Sequence, residues 1–265
     1  MYSNWQLAFK YFNYYLTASN GKGHGTHSPF IFHFITKILN DKNPYPEYAV
    51  VENLREQLLN HQTILSVEDF GAGSSISKTN QRSIASIAKN AAKPKKFGQL
   101  LFRMVKAYQP QTILELGTSL GVTTSYLSLA KPDANLITME GAAAIANVAK
   151  RNFQNLKLQN VSITEGNFDL TLSAVVHRLS TIDLAFIDGN HRQAPTENYF
   201  HQLLPKISND SILIFDDIHW SAEMEAAWAT IKDHPSVTCT VDLFFIGVVF
   251  FRPEFHEKQH FSIRF

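Results

Sequence analysis

From Thr112 onward the chain alternates short apolar runs with stretches of helical period. The runs are Thr112–Leu116, Asn135–Met139, Val161–Thr164, Ile182–Ile187 and Ser211–Phe215; the helical stretches begin near Val122, Ala142, Leu170, Pro195 and Ser221. A short, continuously apolar run suits a strand buried on both faces, and one helix between successive strands forces parallel pairing through crossovers. Two further runs, Val237–Val241 and Gly247–Arg252, have no helix between them. Only a tight turn fits there, so they should pair antiparallel. The pattern predicts an α/β, Rossmann-like fold: a mostly parallel seven-stranded sheet with an antiparallel last strand.

Residues 1–110 carry a different pattern. Tyr2–Leu16 is an aromatic helix candidate, and Ser28-Pro29 reads as an N-cap with proline at the first helical position, opening a helix over Phe30–Leu39. Tyr48–Leu59, Gln81–Asn90 and Phe97–Tyr108 read as three more helices. With no sheet pattern of its own, 1–110 is expected to be a helical cap or lid packed on a 111–265 core.

Charge sharpens that division. The total is 24 Lys+Arg against 23 Asp+Glu, but residues 1–110 hold 13 basic and 6 acidic side chains and residues 111–265 hold 11 and 17, a net of +7 and −6. This argues against a nucleic-acid binder that is basic throughout. Hydrophobic residues at 45% and charged residues at 18% exclude wholesale disorder. The single cysteine, Cys239, cannot form an internal disulfide and suits a reducing compartment. No apolar run reaches the ~18–20 residues of a membrane span. The expectation is a cytoplasmic protein without membrane or nucleic-acid partners.

The candidate chemistry starts at the first strand of the alternating region. It runs into Glu115-Leu116-Gly117-Thr118-Ser119-Leu120-Gly121, and a helix follows. Glycines let the backbone approach a ligand, and the first helical N–H groups point at it. The spacing is Glu-x-Gly-x-x-x-Gly, without the Gly-x-Gly-x-x-Gly turn of dinucleotide sites. Glu140 ends the second strand, where an acid can accept hydrogen bonds from both hydroxyls of a ribose. Here the sequence resembles class I S-adenosylmethionine (SAM) methyltransferases, which pair such a loop with such an acid. The resemblance implies cofactor contacts from Glu115, Gly117, Thr118, Ser119, Gly121 and Glu140. The other reading is a plain βα turn with Glu140 solvated. A second glycine loop, Asp69–Ser75, is followed by Ala92-Lys93-Pro94-Lys95-Lys96 where a second strand and acid would be needed, so it reads as a structured loop.

The fourth strand of the pattern ends in Asp188-Gly189-Asn190-His191 and the fifth in Asp216-Asp217-Ile218-His219. In an open α/β sheet both strand ends face the cofactor crevice. Three carboxylates brought there repel one another unless a cation is bound, and all-oxygen ligands favour Mg²⁺, Ca²⁺ or Mn²⁺. The motifs resemble the metal-dependent O-methyltransferases of catechol and macrolide type. That implies metal ligation, by Mg²⁺ or another oxygen-preferring divalent cation, through Asp188, Asp216 and Asp217. It also implies that His191 is the general base, with Asp188 in the catalytic and cofactor surroundings. The alternatives are an aspartate that only caps a helix and a loop histidine satisfied by its neighbours. His219 is a second-sphere or substrate candidate, and Trp220 reads as packing. In this family the loop after the third strand borders the adenine, so Asn167 joins the cofactor set. Segments His24–Phe30 and Lys95–Leu101 further resemble a methyltransferase group common in Bacteroidetes, a likeness spanning nearly the whole chain.

Taken together the expectation is SAM-dependent, metal-assisted O-methylation of a small-molecule acceptor. The rivals are a SAM methyltransferase with a histidine base and no metal, a methyltransferase fold reduced to a binding module, and a nucleotide-dependent oxidoreductase. His24, His27 and Lys95 are candidates for the lid's lining, and the aromatic run Trp5–Tyr15 reads as core packing or a homodimer contact.

Overall fold

The computed structural model describes residues 1–67 and 80–265; the loop Asp69–Ser75 lies outside the described residues. In chain order the elements are α1 (Asn4–Thr17), α2 (Pro29–His33), a π-helical segment (Phe34–Leu39), α3 (Pro46–Leu59), β1 (Ile64–Ser66), β2 (Gln81–Ser83), α4 (Ile84–Ala91), α5 (Lys95–Tyr108), β3 (Thr112–Leu116), α6 (Val122–Ala130) and β4 (Asn135–Glu140). There follow α7 (Ala143–Asn155), β5 (Val161–Glu165), α8 (Phe168–Arg178), β6 (Leu184–Ile187), α9 (Gln193–Leu203), β7 (Ile212–Asp216), α10 (Ala222–Asp233), β8 (Cys239–Asp242), β9 (Ile246–Phe250) and β10 (Gln259–Ser262). Contacts divide the chain into two compact units, Met1–Asp41 with Ala174–Phe265, and Lys42–Ser173. Each unit takes residues from both sides of position 110.

The Lys42–Ser173 unit holds β3, β4 and β5 in parallel, with Leu116 opposite Met139 and Met139 opposite Thr164. Ile113, Leu114, Leu116, Leu136 and Met139 are fully buried, as expected for strands covered on both faces. This register places Gly117 just beyond the end of β3 and Glu140 at the tip of β4. The unit also contains a small antiparallel hairpin of β1 and β2. This corrects two expectations: the N-terminal region does contain strands, and Gln81–Asn90 is not one helix. Gln81–Ser83 is extended, and the Ser83 hydroxyl then accepts the Ser86 N–H and caps α4.

Among the described residues the other unit holds five strands, β6 to β10. β6 and β7 run parallel; β9 runs antiparallel to both β7 and β8; β10 runs parallel to β8. The expected antiparallel pair of β8 and β9 is present. Among the described residues the count of seven strands and the antiparallel last strand are corrected: β10 is an eighth, and it is parallel. Gln259–Ser262 is short, polar and partly exposed, so it shows no apolar period, and only its pairing with β8 makes it a strand.

Helix α1 belongs to this unit. Ser3 and Gln6 form a reciprocal capping box at its start. Its inward face docks through Tyr14, which packs on Ala18 and Phe244 and donates a hydrogen bond to the Ile263 carbonyl. Lys10 Nζ lies 3.0 Å from both carboxylate oxygens of Glu225, and Tyr2 OH donates to Glu225 at 2.7 Å. Ser19 bridges to Ile263, and Arg264 N donates to Ser19 O at 3.1 Å. Ser28 caps α2 with Pro29 behind it, as the sequence implied, but the helix then widens: Asn40 N donates to Ile35 O, five residues back. Among the described residues no helix is long and apolar enough to cross a membrane.

Candidate active site

The Glu115–Gly121 loop is braced from beneath. Glu115 is fully buried, and its carboxylate accepts hydrogen bonds from the hydroxyls of Thr124 and Thr138, the latter at 2.6 Å. Thr118 Oγ1 lies 2.6 Å from Thr138 Oγ1, and the Gly117 and Thr118 amides both donate to the Met139 carbonyl at 3.0 Å. These contacts tie the loop to Thr138 and Met139 of β4. Its turn needs left-handed backbone: Gly117 has φ 105°, Ser119 φ 48° and Gly121 φ 82°. A Cβ at Gly121 would also lie 2.5 Å from the Phe153 ring, so only glycine fits.

Glu140 closes the arrangement. Its Oε2 accepts the Ser119 N–H at 2.8 Å and its Oε1 accepts the Ala142 N–H at 3.0 Å. These two backbone donors fix the orientation of the carboxylate at the tip of β4. The structure therefore brings Glu115, Gly117, Thr118, Ser119, Gly121 and Glu140 into one hydrogen-bonded loop system. Gly166 N donates to Glu140 O at 2.9 Å, which sets the neighbouring Gly166-Asn167 turn. Asn167 Oδ1 accepts the Asp169 N–H at 2.9 Å and starts α8, so this oxygen has a capping task.

In the other unit, ligand atoms of Asp188, His191 and Asp216 all lie within 4.8 Å of one another. His191 Nε2 is 3.3 Å from Asp188 Oδ1. Asp216 is almost fully buried at the end of β7. Two carboxylates this close are costly when both are ionised, unless an imidazolium or a bound cation offsets them. Asp217 is not part of this cluster. It takes left-handed backbone (φ 52°), with its N–H donated to Phe245 O at 2.7 Å and its carbonyl accepting Trp220 N–H at 2.9 Å. Asn190 (φ 67°) and His191 (φ 43°) are also left-handed, the conformation non-glycine residues adopt least readily. Such consecutive strain marks a turn held by its surroundings. Asn190 Nδ2 donates to Tyr199 OH at 3.3 Å, and the His191 ring lies 5.7 Å from that of Trp220. Trp220, read from sequence as packing, is thus a neighbour of the cluster; nothing in the linear sequence places it there.

His219 is turned into a separate network. Its Nδ1 lies 2.9 Å from Glu225 and its Nε2 2.8 Å from Asp242, with the Phe244 ring stacked at 5.1 Å. Burial opposes the imidazolium, but the hydrogen bonds and charges of Asp242 and Glu225 outweigh it, and the pKa is raised above its ordinary value. A group with a raised folded pKa contributes stability below its unfolded pKa of about 6.5 and loses it as pH rises through the folded value. The stability advantage of the wild type over His219→Gln should therefore be largest in mildly acidic buffer and shrink above neutrality. Urea melts of both proteins from pH 5.5 to 9 check this; a constant gap would contradict it.

Residues 114–218 match a family model described as a methyltransferase domain. That segment contains the glycine loop, Glu140 and the Asp188–His191–Asp216 cluster. A tRNA (guanine-N(7)-)-methyltransferase of Mycoplasma mobile is 31% identical over 77 residues, 29% of this chain; the chain spans only 38% of that relative's length. Among solved structures, the O-methyltransferase TomG of Streptomyces achromogenes, in complex with SAM, aligns with a TM-score of 0.53 at 18% identity, covering 62% of this chain and 82% of its own. A methyltransferase of Podospora anserina with bound S-adenosylhomocysteine aligns with a TM-score of 0.59 at 12% identity, covering 95% and 98%.

Proposed function

We propose that this chain, a class I SAM-dependent methyltransferase in domain and fold that resembles O-methyltransferases, transfers a methyl group to an oxygen of a small-molecule acceptor with the help of a divalent cation. The observation that carries the cation is the convergence of Asp188, His191 and Asp216 within 4.8 Å. Two carboxylates suit Mg²⁺, which keeps several waters and takes only one or two protein carboxylates. Asp188 and Asp216 would hold the ion; Asp217, which the family resemblance also offered, lies outside their cluster. When bound, SAM supplies a methyl group on a positively charged sulfur, and the cation lowers the pKa of an acceptor hydroxyl.

The protein's own residues do the rest. Glu140, fixed by the Ser119 and Ala142 amides, accepts the ribose hydroxyls. Gly117, Thr118, Ser119 and Gly121 present close backbone to the cofactor, and Glu115 holds their loop in shape. Asn167 borders the adenine through the turn it caps. His191 takes the acceptor proton, and holding the oxygen in line with the methyl group supplies much of the rate.

A second reading has one observation behind it. The 3.3 Å approach of His191 Nε2 to Asp188 gives the imidazole an anionic partner without any metal. Asp188 would then accept the Nε2–H and leave Nδ1 as the proton acceptor. Dialysis against EDTA separates the two. Under the metal reading, turnover should fall at least tenfold and return on adding Mg²⁺. Unchanged turnover in the chelated protein would leave the Asp188–His191 pair as the sole base.

A further inference from the structure

Helix α1 turns its most apolar face away from its own unit. Trp5 is 87% exposed, Phe9 69%, Phe12 58%, Tyr15 50% and Leu16 58%. The residues that face inward are Leu7, Lys10 and Tyr14, at the complementary spacing. The outward residues Trp5, Phe9, Phe12 and Leu16 recur at intervals of four, three and four, the spacing by which one helix seats its side chains between those of another. A face built only to meet solvent would be polar, and one built for a flat lipid surface would carry Lys and Arg beside the apolar stripe. Here the flanking positions are Gln6, Ala8 and Asn13. The single charge of the helix, Lys10, is engaged inward by Glu225.

We infer that this face packs against the same face of a second copy of the chain, α1 against α1 across a two-fold axis. A two-fold contact sets each residue type near itself or its symmetric neighbour, so any charge in the stripe would meet its like. The stripe has none. Its flanking positions on the helix are neutral, Arg264 lies at one edge over the Tyr15 ring at 4.9 Å, and Ala8 is small enough to let the helices approach. The area is sufficient as well. The three aromatic side chains of the stripe, at about 200 Å² each and exposed to these extents, put roughly 400 Å² of ring surface on one copy, and the half-exposed Leu16 adds to it. Two such stripes together remove about 1,000 Å² from water, the lower bound that a specific interface has to reach. The helix is pinned by Tyr2, Lys10 and Tyr14 on its opposite side, so little ordering cost is added on pairing.

The test is independent of the methyl-transfer reading. Purified full-length protein is followed by sedimentation velocity from about 1 to 100 µM, with far-UV circular dichroism as the control for folding. The expected result is a reversible dimer whose dissociation constant rises at least 100-fold in Phe9→Glu and in Phe12→Glu, and about tenfold in Trp5→Gln. Should the glutamate variants fail to fold, Phe9→Gln carries the same expectation with a rise of about tenfold. A wild type that is monomeric at 100 µM overturns the inference. So does a dimer indifferent to all these changes, or a monomer that floats with phosphatidylcholine vesicles and thereby assigns the face to lipid.

Discussion

Replacing Asp188 with asparagine is expected to lower turnover by about 10³-fold, equivalent to about 4 kcal/mol of transition-state stabilisation, while changing SAM affinity less than about tenfold. Asparagine keeps the shape of the side chain and removes its charge. In the metal reading this weakens the hold on the cation; in the metal-free reading it removes the anion facing His191 Nε2 at 3.3 Å. Both lose rate, for different reasons, and excess Mg²⁺ distinguishes them. Partial rescue by millimolar metal supports ligation, and none supports the Asp–His pair. The cofactor contacts proposed above lie on β3, β4 and the loops after β3, β4 and β5, so binding should survive. Single-turnover rates with calorimetric titration of SAM measure the two effects separately. If SAM binding collapses along with turnover, Asp188 is part of the cofactor site.

Changing Glu140 to alanine should do the opposite and weaken SAM binding by about 10²-fold or more. Hydrogen bonds to a charged acceptor contribute about 1.5–3 kcal/mol each, and the proposed ribose contacts number two. The carboxylate also receives the Ser119 and Ala142 amides, so its loss frees the loop's left-handed turn at Ser119. Glu140→Gln provides the control, since it retains an acceptor oxygen while losing the charge, and should show an intermediate loss. Affinity within threefold of wild type in both variants would remove Glu140 from the cofactor site. Thermal melts of the unliganded proteins should differ little, because Glu140 lies at the tip of β4 rather than in its buried body.

Much of this was legible in the sequence because the relevant signals are local. Strand β3, its glycine loop and Glu140 follow from an apolar run, a spacing and an acid at a strand tip. The parallel pairing of β3 with β4, β4 with β5 and β6 with β7 follows from one helix per crossover. What escaped was decided at long range. Gln81–Ser83 has helix-compatible residues and becomes extended by pairing with Ile64–Ser66. β10 has no apolar pattern and exists through β8. Asp216 and Asp217 are adjacent in sequence and equivalent as text, yet only Asp216 reaches Asp188 and His191. The left-handed backbone at Asp217, tied to Phe245, separates their directions. The Tyr2–Glu225–His219–Asp242 network likewise joins positions up to 240 residues apart, beyond any spacing rule.

The docking of α1 also bears on how the chain is made. Its inward partners, Glu225, Phe244 and Ile263, all come from the far end of the sequence, and the whole Lys42–Ser173 unit is synthesised in between. At 5–20 residues per second, α1 leaves the ribosome roughly 10–50 s before the strands that receive it. During that interval both of its faces, the one bound for Phe244 and the aromatic stripe opposite, are uncovered on a nascent chain. The helix that completes its unit last is thus made well before the residues that receive it, and the interval before β8 to β10 emerge is when its two faces are most open to association with the wrong neighbour.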